Sequence, residues 1–398
     1  MRGLYRYLSP FSPDQSGAVS VLYELGGLIV VLDAGGCAGN VCGFDEPRWL
    51  HTKSAVFSAG LRDMDAILGR DDRLLGKLGD AIKATSPAFV ALVGTPVPAV
   101  IATDYQALCH TVERRFGLPA VYVPTTGMDF YERGELKAYE AVVSLVDRGR
   151  RDLENAANTP AAALVAHLSY EEGEMEGSVP DVGVWGATPL SLPAPDSAQA
   201  LRARLAARGL SSVTYGMGGG LRDFLHAYGT RRLLAVSPAG TAIARKIAAA
   251  NGAKLETGFD FEADDPESVF STSLDALAHK LPLGGRVLVV HQQVLADEIR
   301  RGLERRVSGP VDVASFFRME RELMRPDDVF LKGESEFIEV VRARGYRAIV
   351  ADRRYGRALL QTDVRVLAPL PHFALSGEVY APATEADFLR GMSEVIEV

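Results

Sequence analysis

The run GGLIVVLDAGGCAGNVCGFDEPRW, residues 26–49, changes character twice. It begins with LIVVL (28–32), apolar at every position, which is the pattern of a strand buried on both faces rather than one. It then breaks into a loop where Gly35, Gly36 and Gly39 give the backbone freedom and leave room for something to approach closely. A buried strand feeding a glycine-rich loop predicts a parallel α/β sheet, whose ligands sit beyond the carboxyl ends of its strands. Cys37 and Cys42 lie in that loop and are two of only three cysteines in the chain. A thiol so placed can ligate metal, act as a nucleophile, or pack as a small hydrophobe.

The same alternation continues outward. Further strands are predicted at AFVALVG (88–94), AVYVP (120–124), DVGVWG (181–186), SSVTYG (211–216), RLLAVS (232–237), RVLVVH (286–291), VDVAS (311–315), YRAIVA (346–351) and VRVLA (364–368). Amphipathic stretches such as SAQALRARLAARG (197–209), with a serine start and a glycine stop, fill the gaps as helices. Two weaker zones, 147–163 and 260–285, divide the strands into three groups. Three Rossmann-like α/β units are therefore expected, at 1–158, 159–274 and 275–398.

Length agrees, since 398 residues exceed one ordinary core. Three cysteines do not make a secreted disulfide framework, and no apolar h-region precedes Pro10, so a cytoplasmic protein is expected. No uninterrupted apolar stretch is long enough to predict a membrane span, and a net charge of −8 gives no reason to expect nucleic acid.

LIVVLDAGGCAGN (28–40), followed by LVGTPVPAVIATDYQALCHTVERRFGLPAVYVPTTG (92–127), resembles the first domain of the nitrogenase component 1 family. That family holds the nitrogenase molybdenum–iron subunits and the protochlorophyllide, chlorophyllide and nickel-sirohydrochlorin reductases. The stretch 182–238 resembles its second domain. GRVLVVHQQVLADEIRRGLE (285–304) and LPHFALSGEVY (370–380) resemble its third. The resemblance implies three α/β units around a cavity. It also implies an iron–sulfur cluster at a subunit boundary and electrons delivered by a separate ATP-dependent iron protein.

The departures narrow the function. Cys37 matches the family's Gly-Cys ligand, but the early ligand position falls in LSPFSPDQSG (8–17), which has no cysteine, and the late one falls at Thr95. The cysteine that anchors the iron–molybdenum cofactor falls near Ser237 and Pro238, so nitrogen fixation is not expected. If two copies pair with their Cys37 loops facing, Cys37 and Cys42 from both supply four thiolates, the complement of one bridging [4Fe–4S] cluster. If Cys42 is only packed, Asp45 or Glu46 is the alternative ligand. Cys109, on a predicted helix, reads as a packed thiol.

Other residues are candidates for the cavity. Arg48, in GFDEPRW (43–49), offers a planar fork to substrate carboxylates such as those on a tetrapyrrole's edge, or else belongs to a structural turn. Gly218, Gly219 and Gly220 follow a strand and can present backbone N–H groups to an anion, although GxGxxG spacing and a P-loop lysine are absent. SPAG (237–240) has similar standing. His372 reads as a proton donor, an axial metal ligand or a satisfied loop histidine, and His291 ends a strand facing the same crevice. The expected protein is an iron–sulfur reductase subunit, paired with itself or a related chain, acting on a small, conjugated substrate. A cluster-assembly scaffold of the same fold is the alternative, and a solute-binding module is a third reading, disfavoured without a signal peptide.

Overall fold

The computed structural model describes residues 5–52, 54–62, 71–96, 104–173, 179–261 and 265–398. Its strands form three sheets. The first holds β1 (Leu28–Val31), β2 (Ala55–Ser58), β3 (Val90–Val93) and β4 (Ala120–Val123), in the order β2-β1-β3-β4 and wholly parallel. The second holds β5 (Val182–Ala187), β6 (Ser212–Gly216), β7 (Arg232–Ala235) and β8 (Lys254–Thr257), in the order β6-β5-β7-β8 and again parallel. The third contains β9 (Val287–Val290), β10 (Val311–Ser315), β11 (Val329–Phe330), β12 (Ala348–Ala351), β13 (Val366–Pro369) and β14 (Ile396–Glu397), ordered β11-β10-β9-β12-β13-β14. Only β14 runs antiparallel.

Every strand expected from the sequence is present. The additional ones are edges or short pieces. β2 (AVFS) and β8 (KLET) each have one neighbour and lie half in solvent, so they do not carry the continuous apolar signature of β1, whose four residues are all buried. Fully burying each such side chain contributes about 1.5–3 kcal/mol, which is why the central strands were legible and the edges were not.

Helices cover the sheets and end where their caps dictate. Ser237 accepts the Gly240 N–H at 3.0 Å and starts Pro238–Asn251, which stops at Gly252 in the left-handed region. Asp104 accepts from Ala107 at 3.0 Å, and Gly117 stops Tyr105–Phe116. The helix Asp14–Leu22 is buried along its whole length and crosses the helix Tyr131–Glu154 at two glycines. A Cβ on Gly17 would lie 1.9 Å from the Tyr131 carbonyl oxygen, and one on Gly134 would lie 1.7 Å from that of Asp14. The buried Asp14 carboxylate accepts from the Thr126 and Gly127 amides and pairs with Lys137 at 3.3 Å.

The sheets share cores. Val142 and Tyr139 of the long helix pack with Ile29 and Val31 on one side and with Trp185 and Tyr215 on the other. Val184 and Leu234 of the second sheet share a cluster with Val289 and Val350 of the third. This arrangement turns the carboxyl ends of strands from all three sheets toward one space.

Candidate functional site

That space is a cleft of about 500 Å³. Its walls come from residues 47–52 of the segment after β1, from 189–195 after β5, from Met217 and Gly218 after β6, and from Pro371 to Pro382 after β13. Six of the lining residues are proline, in positions 47, 189, 193, 195, 371 and 382. Proline fixes φ and carries no N–H, so much of the wall is rigid and donates nothing. Leu192, Ala194, Ala198 and Phe373 make it apolar.

Arg48 reaches this cleft, but its fork is already occupied. Its Nε and Nη2 donate to the two carboxylate oxygens of Glu46 at 2.7 Å each, its Nη1 donates to Glu24 Oε1 at 2.7 Å, and Nη2 also reaches the Ser20 carbonyl at 2.6 Å. Burial opposes the charge, yet hydrogen bonds and charge from Glu46 and Glu24 hold its pKa above the ordinary value. The free fork expected from the sequence is absent because two carboxylates of the same chain take it. The glycine loop differs from expectation in the same way. The Gly218 amide donates to Glu24 Oε2 at 2.8 Å, that of Gly219 points to the Gly216 carbonyl at 3.3 Å, and that of Gly220 donates to Asp223 at 2.6 Å. No amide of the three is left to cradle an outside anion.

His372 sits behind the cleft wall rather than in it. Its Nε2 lies 3.1 Å from the Leu190 carbonyl and 3.1 Å from the Tyr131 hydroxyl, and its ring stacks on His291 with centroids 4.0 Å apart. His291 Nδ1 accepts the Gln292 N–H at 2.8 Å, which places its proton on Nε2, 3.2 Å from the Pro371 carbonyl. Burial drives both imidazoles toward the neutral form, His291 to about 4. At neutral pH His372 is therefore no imidazolium donor; it ties the Leu190 loop to the third sheet. Glu135, on the helix Tyr131–Glu154, ties the same loop to that helix by accepting from Thr188 and from Ser191 (3.1 Å). Burial lifts its carboxyl to about 8 and that of neighbouring Glu132 to about 7. Tyr131, Glu135, Leu190 and Glu24 were not found by sequence reasoning. The one available signal was the crowding of proline in ATPLSLPAP (187–195).

The thiol loop adjoins the cleft along the chain. Cys37 lies in a short helix, Gly36–Asn40, whose Ala38 amide is capped by Asp33 at 2.7 Å, so the expected loop is helical there. Cys42 follows in a π-helical turn, Val41–Asp45. Burial and then Asp33 raise the Cys37 thiol, while burial and then Glu46 push Cys42 up to about 11. Asp45 accepts from Ser12 (2.9 Å), Ser16 (2.6 Å) and Asn40 (2.9 Å), and Thr95 donates to the Leu32 carbonyl at 2.7 Å. Gly36, Gly39 and Gly43 have open space where a Cβ would point, and Phe44 is 71% exposed beside them. Cys109 packs partly buried against the first sheet's outer cluster. Among the described residues no group of three or more His, Cys, Asp or Glu is arranged to hold a metal ion. The donor chemistry thus fits an iron–sulfur group only as half a set, two thiols per chain.

The family described as nitrogenase component 1 type oxidoreductase matches residues 17–258. Among solved structures, one titled nitrogenase Cp1 at pH 6.5 superposes with a TM-score of 0.67 at 9% identity, covering 99% of this chain and 93% of that one. Another, nitrogenase Cp1 at pH 5, gives 0.65 at 13% identity, with 99% and 89% covered.

Proposed function

The chain belongs to the nitrogenase component 1 type oxidoreductases, and from that premise we propose that it is a reductase subunit working as a pair of copies or with a related subunit. Its central cleft takes a small conjugated molecule, tetrapyrrole-like in character. A separate ATP-dependent iron protein delivers the electrons. The three-unit division at 1–158, 159–274 and 275–398 and a cytoplasmic setting belong to the same proposal. Among the described residues no helix is long and apolar enough to cross a membrane.

One observation carries this reading. The segment Gly36–Leu50 bears both thiols at one end and forms part of the cleft wall at the other. Whatever is held at Cys37 is therefore joined to the cleft by about a dozen residues of continuous backbone, anchored by Arg48 on Glu46, Glu24 and Ser20. Facing Cys37 and Cys42 pairs from two copies supply the four thiolates of a [4Fe–4S] cluster, which when bound stores and passes one electron at a time. The open glycines let a second loop approach closely, and the exposed Phe44 gives the approach an apolar contact.

Nitrogen fixation is not part of the proposal. The resemblance puts the family's iron–molybdenum cofactor anchor near Ser237 and Pro238, neither of them a cysteine, and the Ser237 hydroxyl is buried and engaged as a helix cap. One alternative is a scaffold that accepts a preformed cluster without catalysis, since a chain with so few cysteines suits a binder as well as a divergent reductase. Anaerobically prepared protein separates the two. Iron, sulfide and an electron paramagnetic resonance signal that are lost in Cys37→Ser, in a homodimer, support the reductase. Iron-free protein that takes up an added cluster supports the scaffold, and iron-free protein that takes up none defeats both.

A further inference from the structure

The cleft carries two devices suited to an anion, a guanidinium and a glycine-turn amide, and both point at the same carboxylate of the chain itself. Glu24 Oε1 accepts from Arg48 and Glu24 Oε2 accepts from Gly218, so this side chain sits where an incoming carboxylate would sit. The second face of the Arg48 fork is closed by Glu46. Arg48 is the only cationic side chain of Lys or Arg type among the described lining residues, and Glu378 adds a further carboxylate at the rim. The rest of the wall is mostly apolar and rich in proline, with His51, Thr52, Gln199 and Ser376 as its other polar groups.

We infer that the cleft selects a neutral, apolar ligand and rejects anions, Glu24 acting as a built-in carboxylate that fills the anion position. This rests on the proposed reading of the cleft as a ligand site, and it narrows the class of ligand: a conjugated molecule, tetrapyrrole-like or not, whose acid groups are absent or esterified rather than the free carboxylates expected from the sequence. An anionic ligand must enter beside Glu24 and Glu378 with no unoccupied donor of this pair to meet it, and an unpaired charge in an apolar cleft is costly. Removing Glu24 leaves Arg48 Nη1 and the Gly218 amide without a partner, and an added carboxylate then restores both bonds.

Pyrenebutanol and pyrenebutyrate, nearly equal in shape and differing in charge, test this by fluorescence anisotropy on the full chain. The native protein binds the alcohol at least roughly tenfold tighter than the carboxylate, and Glu24→Ala tightens the carboxylate roughly tenfold while the alcohol changes little. Glu24→Gln, which keeps the shape and drops the charge, moves the ratio in the same direction. Equal binding of both probes by the native protein, or a ratio untouched by either Glu24 variant, overturns the inference. Gln199→Trp, at an exposed position of the cleft wall, locates the binding. If neither probe binds, or if binding ignores that variant, the cleft itself fails as a ligand site. That outcome is distinct from binding in the cleft without charge preference.

Discussion

The polar junction beneath the cleft and the thiol loop beside it lie at comparable places, both at carboxyl ends of parallel strands, yet they are finished differently. At the junction His372 meets the Tyr131 hydroxyl and the Leu190 carbonyl and stacks on His291, which bonds Gln292 and Pro371. Glu135 accepts from Thr188 and Ser191, and the side chains of Tyr131, Glu135, Leu190, His291 and His372 are all buried. In the thiol loop the internal bonds stop at Asp33 and Asp45, the glycines face open space and Phe44 is bare. A parallel α/β chain pairs most of its buried polar groups because an unpaired one costs about 1–3 kcal/mol, and Glu132 Oε2 and Trp185 Nε1 are among the exceptions here. On the proposed reading, the apolar, glycine-lined surface beside this interior is where a second copy or a related chain sits.

The largest test of that contrast compares glycines. Gly134→Val, at the crossing that carries Tyr131, drives a branched side chain into the Asp14 carbonyl and should cost about 3 kcal/mol in urea denaturation. A loss under about 1 kcal/mol would mean that the two helices separate easily and the junction is not closed.

The next test is pH. Burial raises Glu132 and Glu135, so the stability they contribute is complete below the ordinary carboxyl value of 4.5 and is lost as pH climbs through about 7 and about 8. Burial lowers His291, whose contribution is complete above 6.5 and is lost as pH falls toward about 4. Stability should therefore decline between pH 6.5 and 8. Glu135→Gln, uncharged throughout, should flatten that decline by about 1–2 kcal/mol. An unchanged slope in the variant places the titrating group elsewhere.

The smallest effect on folding belongs to the thiol loop. Gly39→Ala has room for its methyl and improves a short helix, so the folded chain should gain up to about 1 kcal/mol. If two copies pair through this loop as proposed, the same methyl should also weaken self-association in sedimentation. Unaltered association in a stabilised variant would remove this loop from the interface.

Legibility followed the same division. β1, β3, β5, β7, β9 and β12 were readable because strands buried on both faces admit few residues besides Val, Ile, Leu and Ala. β2 and β8 were not, since half-exposed edges accept Ser, Lys, Glu and Thr. Arg48 and Gly218 line the cleft, but the partner that occupies both, Glu24, is 24 positions from one and 194 from the other. No local pattern marks such a partner.

Sequence alone determined the three-sheet α/β architecture, the family, and the loop that bears Cys37, because burial periodicity and glycine placement act over a few residues. Tertiary structure alone decided which polar groups remain free. A guanidinium, an amide or an imidazole keeps or loses its reactivity according to what distant segment packs against it, and in this chain Glu24 and Leu190 made that choice.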